Sequence, residues 1–214
     1  MANQGARGGL VIVIDDEQSA RRGLKRLLNS AGYETELFQS AADFLARPRE
    51  FRPSCVIVDV CMPGMTGLEL QEVLIRRRQQ EQLVFITGYG DVPTCSRAFS
   101  AGAVDFLPKP IKRRELLKCV ERALARSAEE RQHLKERNEA RRRLDLLTPR
   151  QLEAMQLLIT GMLCKQVAAE LGITLSTAKA HRFMLMHRLG VTSIPQLMRL
   201  ADTAAVPPAQ HSGG

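Results

Sequence analysis

Short runs of aliphatic and β-branched residues punctuate the first half of the chain, at Leu10–Ile14 and at residues 55–60, 83–86 and 104–107. Near-continuous apolar runs of this length suit strands covered on both faces, as in a parallel sheet. Between them, apolar positions fall at helical spacing. Ala20, Leu24, Leu27, Leu28 and Ala31 make one stripe closed by Gly32, and residues 68–74 and 116–124 repeat the pattern. Strand and helix in alternation predict a doubly wound α/β unit.

Residues 126–143 change character: eleven of these eighteen are charged and Leu134 is their one large aliphatic. No heptad seam persists, so the stretch reads as a solvated helical linker rather than a coiled coil. Residues 148–204 are helical with clear punctuation. Thr148-Pro149-Arg150-Gln151 has the form of a capping box with proline at the first helical position, followed by the stripe Leu152, Met155, Leu158, Ile159. A short helix is predicted near Lys165–Leu171, ended by Gly172, then a turn at Ile173-Thr174-Leu175, and a longer helix from about Ser176 to the glycine at 190. Ser193-Ile194-Pro195-Gln196 opens a fourth helix as a second capping box. Short helix, glycine-bearing turn and longer helix form a helix-turn-helix arrangement. The tail after Ala205 reads as disordered.

Composition narrows the picture modestly. The 214 residues are 44% hydrophobic and 25% charged, as in an ordinary globular protein of one large or two small domains. The longest aliphatic run is Leu10–Ile14, far short of a membrane span. The opening residues carry no apolar region of a secretory signal, so a soluble, cytoplasmic protein is expected. The five cysteines include no C-x-x-C pair and read as small buried hydrophobes. The net charge is +8; residues 148–214, half the length of 1–125, carry the same net +3, a weak pointer to nucleic acid.

The candidate chemistry lies at strand ends. Asp15 and Asp16 follow the first strand, Asp59 ends the second apolar run, Thr87 follows the third and Lys109 follows the last. Carboxyl ends of parallel strands line one edge, where ligands bind at the switch in strand order. Three carboxylates there repel one another, so they need a cation or some must stay protonated, and an oxygen-only donor set suits Mg²⁺. Lys109 supplies a second positive charge and Thr87 a hydroxyl. The competing reading, in which Asp15 and Asp16 merely cap the next helix, accounts for that pair but not for the combination.

Ile-Asp-Asp-Glu, Val-Asp-Val-Cys-Met-Pro-Gly-Met-Thr-Gly-Leu-Glu-Leu, Ile-Thr-Gly-Tyr-Gly-Asp-Val-Pro and Ala-Gly-Ala-Val-Asp-Phe-Leu-Pro-Lys-Pro follow one another in this order. Together they resemble the receiver domain of bacterial two-component response regulators, over about residues 9–125. The resemblance implies a five-stranded parallel sheet with Asp59 as phospho-acceptor. It implies Mg²⁺ on Asp16, Asp59 and the backbone carbonyl of Cys61, with Asp15 helping through water, and Lys109 on a phosphoryl oxygen. Thr87 and Phe106 become the switch pair, and the Lys109–Pro110 bond is expected to be cis. Thr66 departs from the family's usual Asp, and Cys61 and Tyr89 occupy variable flanking positions.

Leu-Thr-Pro-Arg-Gln-Leu-Glu-Ala-Met, Gly-Met-Leu-Cys-Lys-Gln-Val-Ala-Ala-Glu-Leu-Gly-Ile, Ser-Thr-Ala-Lys-Ala-His-Arg and Arg-Leu-Gly-Val are similar to the LuxR-type helix-turn-helix, over about residues 146–204. The two halves resemble FixJ/NarL-type regulators, closest to the FixJ branch. The division expected is a flexible 1–8, receiver 9–125, charged helical linker 126–145, all-α four-helix DNA-binding domain 146–204 and tail 205–214. Ala178, Leu185 and Leu189 would face inward. Lys179, Ala180 and Phe183 lie where the family reads base edges, and Lys165, Ser176, Thr177 and Arg182 suit phosphate contacts. Cys164 and Ala178 depart from the usual Asn and Val. The resemblance implies a sensor histidine kinase and double-stranded promoter DNA as partners. It also implies a homodimer on phosphorylation through the face spanning residues 91–118, and it admits RNA polymerase as a further partner. Two rivals stand beside this reading. A phosphorylation-independent DNA-binding regulator would keep the receiver as a dimerisation body. An aspartyl-nucleophile phosphohydrolase would need a second Asp at position 61, which is Cys.

Overall fold

The computed structural model describes residues 8–48, 52–77, 79, 81–88, 102–207 and 209. The chain divides into two compact units, Met1–Arg131 and Gln132–Gly214. No helix among the described residues is long and apolar enough to cross a membrane.

The first unit is built on five parallel strands: β1 (Leu10–Ile14), β2 (Glu34–Phe38), β3 (Ser54–Asp59), β4 (Gln82–Thr87) and β5 (Asp105–Pro108). Their order in the sheet is β2-β1-β3-β4-β5. Among the described residues, helices α1 (Gln18–Ser30), α2 (Ala41–Ala46), α3 (Gly67–Arg76) and α4 (Arg113–Leu144) accompany the sheet, the last of these crossing the unit's boundary. Side chains alternate along each strand, so the sheet serves two cores. Ile12, Ile14, Val56, Val58 and Phe85 pack with Phe44, Leu70 and Leu74 of α2 and α3. Val11, Val13, Ile57 and Ile86 pack with Leu24 and Leu28 of α1 and Leu116 and Val120 of α4. Both faces are covered, which is why β1, β3 and β4 are buried along their whole length.

Strand β2 and helix α2 are not marked by the hydrophobic pattern. Strand β2 is at the sheet's edge, where Glu34 is exposed and Thr35 and Glu36 are half-buried, and these polar residues break the apolar run. Arg52 pairs with Glu34 there at 2.6 Å. Helix α2 has only six residues, started by Ser40, whose side chain accepts from the Asp43 N–H. Cysteine behaviour divides by depth. Burial pushes the Cys55 thiol far above its usual range and the Cys119 thiol up to about 11. Cys61, expected to be buried, is exposed because it follows the sheet edge. Cys95 lies outside the described residues.

The charged stretch continues the helix from Leu124, as expected, but its first turns are not simply solvated. Ser127 is 1% exposed, and its Oγ accepts the Ser54 N–H at 3.0 Å. Gln82 donates to Glu130 at 2.7 Å.

The second unit contains α5 (Pro149–Leu158), α6 (Cys164–Glu170), α7 (Leu175–Leu189) and α8 (Ile194–Ala204), with the last turns of α4. Thr148 and Gln151 form the expected reciprocal cap of α5. The cap of α8 is half of one: Ser193 accepts from the Gln196 N–H, while Gln196 turns its Oε1 to the Thr192 N–H at 2.7 Å. Gly190, at φ +60°, closes α7 in the left-handed conformation that glycine adopts without strain. The core joins Met155, Leu158, Val167, Ala178, Leu185, Leu189, Leu197 and Ala201 to Ala140 and Leu144 of α4. Arg141 donates to the Ala204 carbonyl at 3.2 Å and Arg143 to the Leu189 carbonyl, so both arginines serve C-terminal carbonyls of other helices. Within the tail read as disordered, Val206 donates to the Ala201 carbonyl and packs on this core.

Candidate functional site

Strand order reverses between β1 and its neighbours β2 and β3, which opens a crevice at the carboxyl edge of the sheet. Ile14 pairs in register with Val58, so Asp15 and Asp59, each one residue further on, arrive side by side. Carboxylate oxygens of Asp15, Asp16 and Asp59 lie within 4.8 Å of one another, the first and last buried and Asp16 exposed. Asp15 Oδ1 accepts the Glu17 N–H at 2.8 Å, and the N-cap of α1 is Glu17, so neither aspartate of the pair occupies the capping position. The Arg21 guanidinium donates to the Asp15 backbone carbonyl.

Lys109 reaches the cluster from the loop after β5. Its Nζ is 2.5 Å from Asp59 Oδ2 and 3.1 Å from Asp15 Oδ2. Its N–H donates to the Thr87 carbonyl at 2.7 Å, which ties the ends of β4 and β5 together. The Lys109–Pro110 bond is cis, as expected. Burial raises the Asp15 carboxyl above its ordinary value, against the Glu17 and Lys109 hydrogen bonds that lower it. Burial alone would lower the Lys109 ammonium, yet Asp59 and Asp15 together hold it above its ordinary value, so it stays charged. Among the described residues Lys109 is the cation paired with these carboxylates, and one such charge against three carboxyl groups leaves the site short of positive charge.

The remaining predicted residues are spread around this centre. Thr87 is fully buried one residue beyond Ile86, the register partner of Asp59. Phe106 is half-buried on β5, its ring 6.1 Å from that of Phe85, its register partner. Cys61 meets Asp59 through its backbone N–H, 3.2 Å from Oδ1. Tyr89 and residues 91–101 of the expected dimer face lie outside the described residues.

Gly67 is a residue whose importance the pattern did not show. Its N–H donates to the Val60 carbonyl, and a Cβ placed on it would be 2.5 Å from the Asp59 carbonyl oxygen. Thr66 caps α3 beside it in a reciprocal pair with Glu69. The close approach of helix to strand fixes the loop that carries Cys61. Gly67→Ala is expected to force backbone apart and destabilise the first unit by about 1–3 kcal/mol. Urea unfolding of the two proteins checks it; an unchanged midpoint would show that the contact yields without cost.

On α7, Ser176, Thr177, Lys179, Ala180, Arg182 and Phe183 are all exposed, as is Lys165 on α6, while Ala178, Leu185 and Leu189 are buried. Thr177 also has a local duty: its N–H donates to Thr174 Oγ1 at 3.2 Å and starts the helix. The Arg182 guanidinium lies 3.9 Å from Cys164 Sγ. His187, not singled out by sequence, stacks on Phe183 with ring centroids 6.3 Å apart. A groove of about 770 Å³ runs beside these rings, bordered by Lys179, Arg182, Met186 and Thr192.

Comparison with known proteins gives two family matches: the response regulator receiver domain over residues 11–121, and bacterial regulatory proteins of the luxR family over residues 145–201. Nodulation protein W of Bradyrhizobium diazoefficiens is 37% identical across 92% of this chain and 87% of its own length. The transcriptional regulatory protein FixJ of Azorhizobium caulinodans is 36% identical across 94% and 96%. The solved structure of the response regulator StyR is similar with a TM-score of 0.80 and 42% identity, covering 91% of this chain and 98% of that one.

Proposed function

The chain belongs to the two-component response regulators that join a receiver domain to a LuxR-type DNA-binding domain, and from that premise we propose that Asp59 is the residue it phosphorylates. It is a phosphorylation-dependent DNA-binding transcription regulator. The observation that carries the residue assignment is the Lys109 ammonium seated 2.5 Å from Asp59 and 3.1 Å from Asp15, at the edge where Asp16 completes an acidic triad.

In this reading a phosphorylated histidine of a sensor kinase is the donor. An O–P bond forms at an Asp59 carboxylate oxygen as the donor N–P bond breaks, and the electron pair returns to the imidazole. Lys109 holds a phosphoryl oxygen and balances its charge, and the Cys61 N–H fixes the other Asp59 oxygen. The donor set fits a small hard cation: all oxygen, and net negative even with Lys109 counted. Asp16, Asp59 and the Cys61 carbonyl would hold Mg²⁺, with Asp15 acting through water. Bound there, Mg²⁺ supplies charge neutralisation for the transferring group. Thr87 then turns its hydroxyl to the phosphoryl group and Phe106 follows. Transfer and later hydrolysis use these same residues, so the protein catalyses its own phosphorylation state and no other reaction. We place it in the cytoplasm, where it dimerises when phosphorylated, binds promoter DNA with two half-sites and acts on RNA polymerase.

The test is DNA binding and sedimentation of the full-length protein with and without acetyl phosphate and Mg²⁺. Phosphorylation should produce a dimer and raise operator affinity by roughly 5–150-fold, the usual range of allosteric coupling. Equal binding in both states would favour the rival in which the receiver is only a dimerisation body.

Within the DNA-binding half, Lys179→Ala and Arg182→Ala should fail differently. Loss of a base contact at Lys179 is expected to cost about 1–3 kcal/mol on the operator alone and relax preference at one position. Loss of a phosphate contact at Arg182 should weaken all sequences alike and reduce the salt slope by about 1. Titrations on operator and scrambled duplexes at several salt concentrations decide; equal losses on both DNAs for Lys179→Ala would make it a phosphate contact.

A further inference from the structure

The buried residues of α7, Ala178, Leu185 and Leu189, define its inner face. At about 100° per residue, the line opposite that face passes through Ser176, Ala180, Phe183 and His187. On a merely solvated helix this outermost line would carry charge. Here its centre is apolar. Phe183 is 69% exposed, and its ring is steadied by stacking on His187 one turn later. Two cations, Lys179 and Arg182, stand to one side and border the groove that the two rings also line.

A partner must therefore offer apolar atoms to the centre of the helix and negative charge to its flank. The major groove of DNA offers both, because its floor carries the 5-methyl group of thymine and its walls are phosphates. Ala180 and Phe183 are three residues apart, about 4.5 Å along the helix, against a base-pair rise of about 3.4 Å. The two side chains thus meet neighbouring steps. Resting on the DNA-binding reading above, we propose that Phe183 and Ala180 read thymine methyl groups on adjacent base pairs of each half-site, with His187 as the residue that positions the Phe183 ring.

The experiment begins with duplexes selected from a random pool by full-length protein treated with acetyl phosphate and Mg²⁺. Each thymine of the selected site is then replaced singly by deoxyuridine, which removes only the methyl group. Binding should weaken about fourfold at the positions read by Phe183 and Ala180, the effect expected for one buried methyl, and stay constant elsewhere. Phe183→Ala should bind without regard to the methyl at its own position but keep the loss at the Ala180 position and the wild-type salt slope. Phe183→Leu should restore part of the sensitivity. The exposed ring contributes little to folding, so both variants should unfold with the wild-type midpoint. Uracil tolerated at every position by the wild type, or the same uracil losses in Phe183→Ala, would overturn the proposal while leaving DNA binding intact. Failure to select or bind any duplex would instead overturn the DNA-binding reading itself.

Discussion

Asp59→Asn is expected to leave the full-length protein unable to take up phosphate from acetyl phosphate, with incorporated label falling at least about a hundredfold. The substitution keeps the shape of the side chain and an oxygen able to accept the Cys61 N–H. What it removes is the carboxylate oxygen that attacks phosphorus in the proposed transfer and that lies 2.5 Å from the Lys109 ammonium. An amide is too weak a nucleophile to replace it, and the neighbouring Asp15 is fully buried with its two oxygens bound to the Glu17 N–H and the Lys109 ammonium. In the wild type the product should be an acyl phosphate, cleaved by base and by hydroxylamine, and excess EDTA should prevent its formation. Wild-type labelling of the Asn variant would sink the assignment of Asp59, and phosphorylation undiminished by EDTA would sink the metal.

A second large effect is expected where α4 enters the helical unit. Ala140 and Leu144 are 2% and 7% exposed within that unit's core, and Arg141 and Arg143 donate to the terminal carbonyls of α8 and α7. A fragment beginning at residue 146 discards all four. Burying a leucine is worth about 1.5–3 kcal/mol, and a hydrogen bond from a charged donor about 1.5–3 kcal/mol. A single small core supplies little more than about 3–5 kcal/mol in total. A fragment of residues 132–214 should therefore unfold cooperatively in urea, while 146–214 should be mostly unfolded without denaturant. In the intact chain, Leu144→Ala should lower the stability of this unit by about 2–5 kcal/mol. Matching midpoints for the two fragments would show that α4 adds nothing to the second unit.

The contrast between these regions explains what the sequence could reveal. Strands β1, β3 and β4 were legible because burial on both faces demands unbroken apolar runs. Strand β2 was not, since an edge position leaves Glu34 exposed and Glu36 only half-buried, so polar residues interrupt the run. The acidic cluster was legible because strand ends are marked by where the apolar run stops, and register then brings Asp15 beside Asp59 without further instruction. Gly67 was not, because a close approach of helix to strand leaves no mark except the absence of a side chain. The charge of residues 126–143 concealed Ser127 and Ala140, two small residues whose burial depends on what packs against them rather than on their own polarity. His187 escaped notice because a ring stack one helical turn long has no signature beyond two aromatic residues four apart.

Because the sheet divides the first unit into two cores, chain neighbours answer to different partners. Val56 sits with Phe44, Leu70 and Leu74, whereas Ile57, the next residue, sits with Leu28, Leu116 and Val120. Substitutions at Val56 and Ile57 therefore have few shared side-chain contacts through which to influence each other, and their energetic effects should add more nearly than their adjacency suggests, with the shared backbone as the remaining coupling. Ile57 and Val120, more than sixty positions apart, share one core, and a change at either alters which residues the other tolerates. Drift in such a domain runs on two largely independent tracks, one on each face of the sheet. Epistasis follows the layer a residue belongs to, not its distance along the chain.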